Sequence, residues 1–228
     1  MHLVIANKLY SSWSMRPWLV MRAFGIPFTE TVIPLRQPDT RERILKYSPT
    51  GKLPVLIDGD AVVWESLAII SYLADRFPDK PMWPRGNAAL AHAKAISMEM
   101  HAGFQTLRQA CPMNLGKRFA TPPVTEDLKA NIDRLEEMWR GARKRFSSGA
   151  GPFLFGAFTA ADAMFAPVAT RLDSYSLPVS DDTRAYMNAV LRLPAFLEWR
   201  TAAFAEPWRI AEYEAGHTLL EDLTAMSG

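Results

Sequence analysis

The chain has 228 residues, 49% of them hydrophobic and 22% charged, which is globular composition with enough length for two modest domains. A formal charge of +2, dispersed along the sequence, argues against nucleic acid as a partner, and the single cysteine, Cys111, excludes an internal disulfide and any Cys-x-x-Cys redox or zinc motif. No apolar run approaches the roughly 18 residues that cross a bilayer and no signal peptide is evident, so the expected setting is cytoplasmic, with no membrane partner.

Leu3, Val4 and Ile5 form a short first strand, followed by the polar and aromatic turn LYSSWSMRPW. Pro17 suits the first turn of a helix, with Ser14 as its cap; Gly25 and Pro27 stop it near Phe24. The β-branched segment from Thr29 to Ile33 reads as a second strand, and Asp39 or Thr40 can cap a short helix reaching Tyr47. Next comes TGKLPVLIDGDAVVWES, residues 50–66, where Val55, Leu56 and Ile57 make one strand and Ala61, Val62 and Val63 another. Asp58-Gly59-Asp60 is the turn between them. A helix follows, with Ile69, Ile70, Leu73 and Phe77 on one face and Ser66 as its cap. The order is βαβ followed by ββα: parallel strands with a crossover helix, then a hairpin with a covering helix.

Two features of this stretch point towards binding. Pro54 opens a strand, either on a sheet edge or after a cis peptide that turns the main chain of Leu53 outward. Glu65-Ser66 at a helix start is either an ordinary cap or a carboxylate-binding corner, because the N–H groups there lack partners within the helix.

The Pro-rich segment 78–87 reads as a linker between a domain of residues 1–80 and one of residues 88–228. The second part is predicted to be all helical. Ile96, Met100, Phe104, Leu107 and Cys111 form one stripe, ended by Pro112. Leu128, Ile132, Leu135, Trp139, Ala142 and Phe146 form another, and the basic run 140–145 is a solvated helix end. Thr159 and Asp162 have capping-box spacing before a helix apolar on most sides and interrupted by Pro167. Shorter helices are predicted over 183–191 and 194–203. His92 and His101 fall on opposite sides of a helix, and no metal-ligand, P-loop, dinucleotide or Gly-x-Ser-x-Gly string occurs, so no metal is expected.

The order of elements, together with SSWSMR, KLPVL, the Glu65 to Ile69 string and the Thr159-Ala-Ala-Asp162 box after Gly156, resembles the glutathione transferase family across almost the whole chain. The resemblance implies a thioredoxin-like N-terminal domain, an all-helical C-terminal domain and a homodimer. Glutathione would be the co-substrate. Leu53, beside a cis Pro54, would pair with its cysteinyl main chain, Glu65 and Ser66 would hold the γ-glutamyl end, and Lys52 would approach the glycyl carboxylate. The double serine is most similar to the zeta class and selects Ser11 as the catalytic residue; theta, delta and phi spacing selects Ser12. Trp13 stands where zeta enzymes carry a cysteine. That departure speaks against zeta isomerase activity and removes the thiol needed for redox work. A small apolar electrophile would bind between the domains against Trp13, Met100 and Phe104.

A thiol with a pKa near 8.5 is only a few per cent ionised at neutral pH. A serine hydroxyl donating to sulfur, with the positive end of the first helix nearby, supplies the roughly 1.4–2.7 kcal/mol that lowers it by about one to two units. The serine is thus a donor, not a nucleophile. The sequence leaves three activities open: transfer to an electrophile, a zeta-like cis–trans isomerisation, and a glutathione-binding module without catalysis.

Overall fold

The computed structural model describes residues 1–147 and 149–225; the end of the helical part expected at residue 228 lies outside the described residues. The N-terminal part contains β1 (His2–Ile5), α1 (Ser12–Ala23), β2 (Thr29–Val32), α2 (Thr40–Leu45), β3 (Val55–Asp58), β4 (Ala61–Trp64) and α3 (Ser66–Arg76). Its sheet has the order β2-β1-β3-β4, with β1 and β2 parallel and the other pairs antiparallel. This is the βαβ-ββα arrangement of a thioredoxin-like domain. Period-two alternation decides which residues face which layer. Leu3 and Ile5 join the large core under α1 and α3, while Val4 points the other way to Ile33 and Ile44, under α2. Strand β3 lies inside the sheet, so the edge reading of Pro54 is excluded; the Leu53–Pro54 peptide is cis.

The C-terminal part contains α4 (Asn87–Ala102), α5 (Gln105–Ala110), β5 (Lys117–Phe119), α6 (Glu126–Ala142), α7 (Ala160–Ser174), α8 (Asp181–Leu191), α9 (Pro194–Phe204) and β6 (Leu219–Asp222). Helix α7 is the buried centre of this part, as its all-round apolar sequence predicts. Asp162 in its first turn accepts hydrogen bonds from the N–H and Oγ1–H of Thr159, the N–H of Leu154 and the Tyr186 hydroxyl.

The structure departs from the sequence reading in four places. The cap of α1 is Ser11, not Ser14, and the cap position of α3 is Glu65 rather than Ser66. The long stripe through Phe104 is broken: Gly103 and Phe104, the latter at φ 63°, separate α4 from α5. The helical part also carries a two-stranded ribbon, β5 with β6, whose strands are too short for a readable period and lie about a hundred residues apart.

The two parts are fastened around the loop that leads into α1. Glu206 accepts the N–H groups of Lys8 (2.7 Å) and Leu9 (3.2 Å), and Trp199 Nε1–H donates to the Lys8 carbonyl (3.0 Å). Arg16 Nε–H donates to the Met164 carbonyl (3.1 Å), in the turn of α7 that precedes Pro167. These bonds hold the start of α1, and with it residues 11–13, against the helical part.

Candidate functional site

One cleft of about 390 Å³ lies between the two parts. The loop before β3 contributes Thr50, Lys52, Leu53 and Pro54. The β4–α3 junction contributes Trp64, Glu65 and Ser66, and α1 contributes Trp13. The helical part contributes His101, Gln105 and Arg108. All five residues expected to hold glutathione are therefore brought to one cleft, together with Trp13.

Three of them carry hydrogen-bonding capacity that the protein does not use. Among the described residues, the N–H and C=O of Leu53 have no protein partner. Ser66 is fully buried and its Oγ makes no hydrogen bond, although it opens α3, where backbone N–H groups are also unused. Glu65 sits at φ 67°, a conformation uncommon for a side-chain-bearing residue, and its carboxylate is half-exposed at the cleft. A backbone outlier beside a buried, unpartnered hydroxyl is what an anion-binding helix start looks like before its ligand is considered.

Met100 and Phe104, expected in the second-substrate pocket, are core residues with 1% and 8% exposure and do not line the cleft. The reason is rotation and the break. Met100 points inward from α4, so its neighbour His101 faces the cleft, and the bend at Gly103-Phe104 swings Gln105 and Arg108 of α5 towards it. An available clue is the Gly103-Phe104 pair itself, since glycine within a helical pattern lowers the continuity of the helix.

Ser11 and Ser12 are both buried, and neither is among the residues lining the cleft. The Ser11 hydroxyl accepts the Ser14 N–H (3.2 Å) and donates to Ser14 Oγ (2.8 Å), while Ser14 Oγ accepts the Ala6 N–H (3.0 Å). The Ser12 hydroxyl has no protein partner among the described residues.

The indole of Trp13 is the hub on the helical side. Arg16 lies 4.2 Å and Arg108 4.8 Å from its ring centre, and His101 meets it edge-on at 5.1 Å. Burial, reinforced by the Arg16 charge, pulls the His101 pKa down, so its ring is neutral at neutral pH. Burial pushes the Cys111 thiol up to about 12, which leaves this residue an inert core group. A second cleft of about 390 Å³ shares Glu65 and His101 and continues along Leu67, Trp83 and Met98. Among the described residues no cluster of metal-ligating side chains occurs, and no helix is long and apolar enough to cross a membrane.

Residues 10–76 match the family described as "Glutathione S-transferase, N-terminal domain", and residues 89–202 match "Glutathione S-transferase, C-terminal domain". A probable maleylacetoacetate isomerase of Caenorhabditis elegans is 30% identical over 134 residues, 54% of this chain and 63% of that protein. A zeta-class glutathione S-transferase of Euphorbia esula is 27% identical over 165 residues, 66% of this chain and 72% of that protein. Among solved structures, a glutathione transferase homologue from Burkholderia with bound glutathione superposes with a TM-score of 0.66 at 18% identity, covering 89% of this chain and 97% of its own. A bacterial zeta-class maleyl pyruvate isomerase superposes at 0.65 and 16% identity, covering 92% and 100%.

Proposed function

The chain belongs to the glutathione S-transferase family of enzymes, and on that premise we propose that its cleft binds glutathione, lowers the pKa of the thiol and presents the thiolate to a small electrophile. The observation that carries this reading is the convergence on one cleft of the unused main-chain groups of Leu53, the unpartnered Ser66 hydroxyl and the Glu65 carboxylate. Leu53 has the free N–H and C=O that an extended cysteinyl residue needs to pair as an added strand. Ser66 and the first N–H groups of α3 take the γ-glutamyl carboxylate, and Glu65 takes its ammonium. Lys52 takes the glycyl carboxylate.

Ser12 is the sulfur-facing donor in this reading. The Ser11 proton is already given to Ser14, so Ser11 positions the start of α1, while the Ser12 hydroxyl remains available at the positive end of that helix. In a conjugation the sulfur–carbon bond forms, the leaving group departs with its electron pair, and the thiol proton passes to solvent.

The test is the ultraviolet thiolate absorbance of bound glutathione against pH. The wild type is expected to titrate about one to two units below the free thiol. Ser12→Ala returns it towards the free value; Ser11→Ala instead lowers stability by about 1 kcal/mol through loss of the cap. A return in Ser11→Ala alone reverses the assignment. Saturable binding without any pKa shift replaces the transferase with a binding module.

A second reading, glutathione-dependent cis–trans isomerisation, is favoured by the described activity of the nematode relative and opposed by Trp13 at the zeta cysteine position. Isomerisation of a maleyl-type substrate without net glutathione consumption would establish it, and its absence removes it. A homodimer completes the reading: Val62, Trp64 and Met98 are exposed apolar side chains on β4 and α4. Sedimentation at the mass of one chain would exclude that assembly.

A further inference from the structure

Three guanidinium groups converge behind the helical wall of the cleft. Arg16 is fully buried; its Nε–H is used on the Met164 carbonyl and its Nη1 has no partner. Arg171, also buried, donates to the carbonyls of Arg108 and Cys111. Arg108 is half-buried and lines the cleft, with its Nη2 held by the carbonyls of Met100 (2.5 Å) and His101 (3.0 Å) at the end of α4. Among the described residues none of the three pairs with a carboxylate, whereas Arg118, Arg134 and Arg143 all do. The charges felt by Arg16 are those of Arg108 and Arg171, which, after burial, drive its pKa down. Like charges packed out of water without a counter-charge are unfavourable, and a bound anion relieves them.

Arg108 alone of the three lines the cleft, and its Nε–H and Nη1 donors have no protein partner among the described residues. The carbonyls that hold its Nη2 fix the direction of the guanidinium. Its stacking on Trp13 places that charge beside a flat apolar ring. Of the other polar groups on this side, His101 is neutral and Gln105 carries no charge, while Glu65, the one carboxylate lining the cleft among the described residues, lies 3.8 Å from His101 and pairs with no arginine. Once Lys52, Glu65 and Ser66 are assigned to the charged ends of glutathione, Arg108 remains as a cation with no assigned anion.

We propose that Arg108, held against the Trp13 ring and backed by Arg16 and Arg171, is a carboxylate subsite that selects an electrophile bearing an anionic group. The subsite rests on the glutathione reading, because it supposes that glutathione fills the opposite end of the cleft. Arg108 binds and orients the substrate and takes no part in bond making.

The experiment compares 4-chloro-3,5-dinitrobenzoate with its methyl ester, both of which lose chloride as the glutathione sulfur bonds to the ring carbon and the thiol proton passes to solvent. For the wild type, kcat/KM relative to the uncatalysed rate is expected to favour the carboxylate by about tenfold or more. Arg108→Gln is expected to lower the carboxylate value by about ten- to a hundredfold, leaving the ester and the KM for glutathione within about twofold. Arg108→Lys keeps part of the preference, because it keeps the charge but not the planar fork. Equal loss for both probes, absence of a preference in the wild type, or a matching rise in the KM for glutathione overturns the proposal; the last assigns the anion to glutathione itself.

A calorimetric titration of the wild type and Arg108→Gln with unreactive 3,5-dinitrobenzoate, run without glutathione, separates the two readings. Binding that depends on Arg108 supports the subsite even if glutathione does not bind, and no binding overturns it even if glutathione does.

Discussion

Asp162→Ala is expected to remove about 3–5 kcal/mol of stability, a large share of the roughly 5–15 kcal/mol available to a folded protein. The carboxylate is fully buried and accepts from two backbone N–H groups and two hydroxyls. Alanine leaves all four donors without an acceptor inside the protein, each at about 1–3 kcal/mol and not additively. The same four bonds tie the first turn of α7 to the segment before it and to Tyr186 of α8, so the loss is felt across the centre of the helical part. Asp162→Asn preserves volume but turns an amide N–H₂ towards donors, and its cost should fall between wild type and alanine. Urea midpoints at constant slope give the numbers, and a loss below about 1 kcal/mol would refute this account.

The pH dependence has a definite sign. Burial raises the Asp162 carboxyl to about 6, against the hydrogen bonds that favour its ionised form, whereas in the unfolded chain it titrates near the usual value of about 3.9. Between these values the folded protein holds a proton that the unfolded chain releases. The contribution of this group is therefore full below about pH 4, declines as pH rises through about 6, and is level above it. The slope belonging to that window should be missing in Asp162→Ala.

Ser66→Ala has opposite effects on binding and on stability. Its Oγ is buried without a hydrogen-bond partner, so removing it leaves folding stability unchanged or slightly higher. The same hydroxyl is a donor to the γ-glutamyl carboxylate in the proposed complex, and its loss should weaken glutathione binding by about ten- to a hundredfold. A half-exposed carboxylate contributes less than a buried donor, and Glu65→Ala should weaken binding by about tenfold or less. A dissociation constant for Ser66→Ala within about twofold of wild type would remove this residue from the binding machinery. A loss of binding accompanied by lost stability would make its role structural.

Much of the first half is legible because its signals are local. Leu3 to Ile5, the Asp58-Gly59-Asp60 turn and the Ile69, Ile70, Leu73 face each specify an element within a few residues, and KLPVL with Glu65-Ser66 marks one wall of the cleft. The serine loop is legible as a location but not as a set of bonds. Whether Ser11 or Ser14 caps α1 depends on Ala6, whose N–H takes Ser14 Oγ and so leaves Ser11 for the cap. The helical wall is misread for a related reason. A stripe of apolar residues at spacings of three and four names the core face, and Met100 and Phe104 are indeed on it. A side chain on the core face is withdrawn from a cleft on the flank, and the neighbours one position on, His101 and Gln105, take that place.

Local periodicity, turn chemistry and capping strings thus determine by themselves the βαβ-ββα order of the first part and the buried helix behind Thr159 and Asp162. These depend on steric and hydrogen-bonding preferences that act over a few residues. Tertiary packing alone decides the approach of Arg16 and Arg108 to Trp13 with Arg171 behind them on the Arg108 and Cys111 carbonyls, the break at Phe104 and the pairing of β5 with β6. Each brings together groups from distant parts of the chain, and their mutual charge, burial and register have no value until the chain is folded.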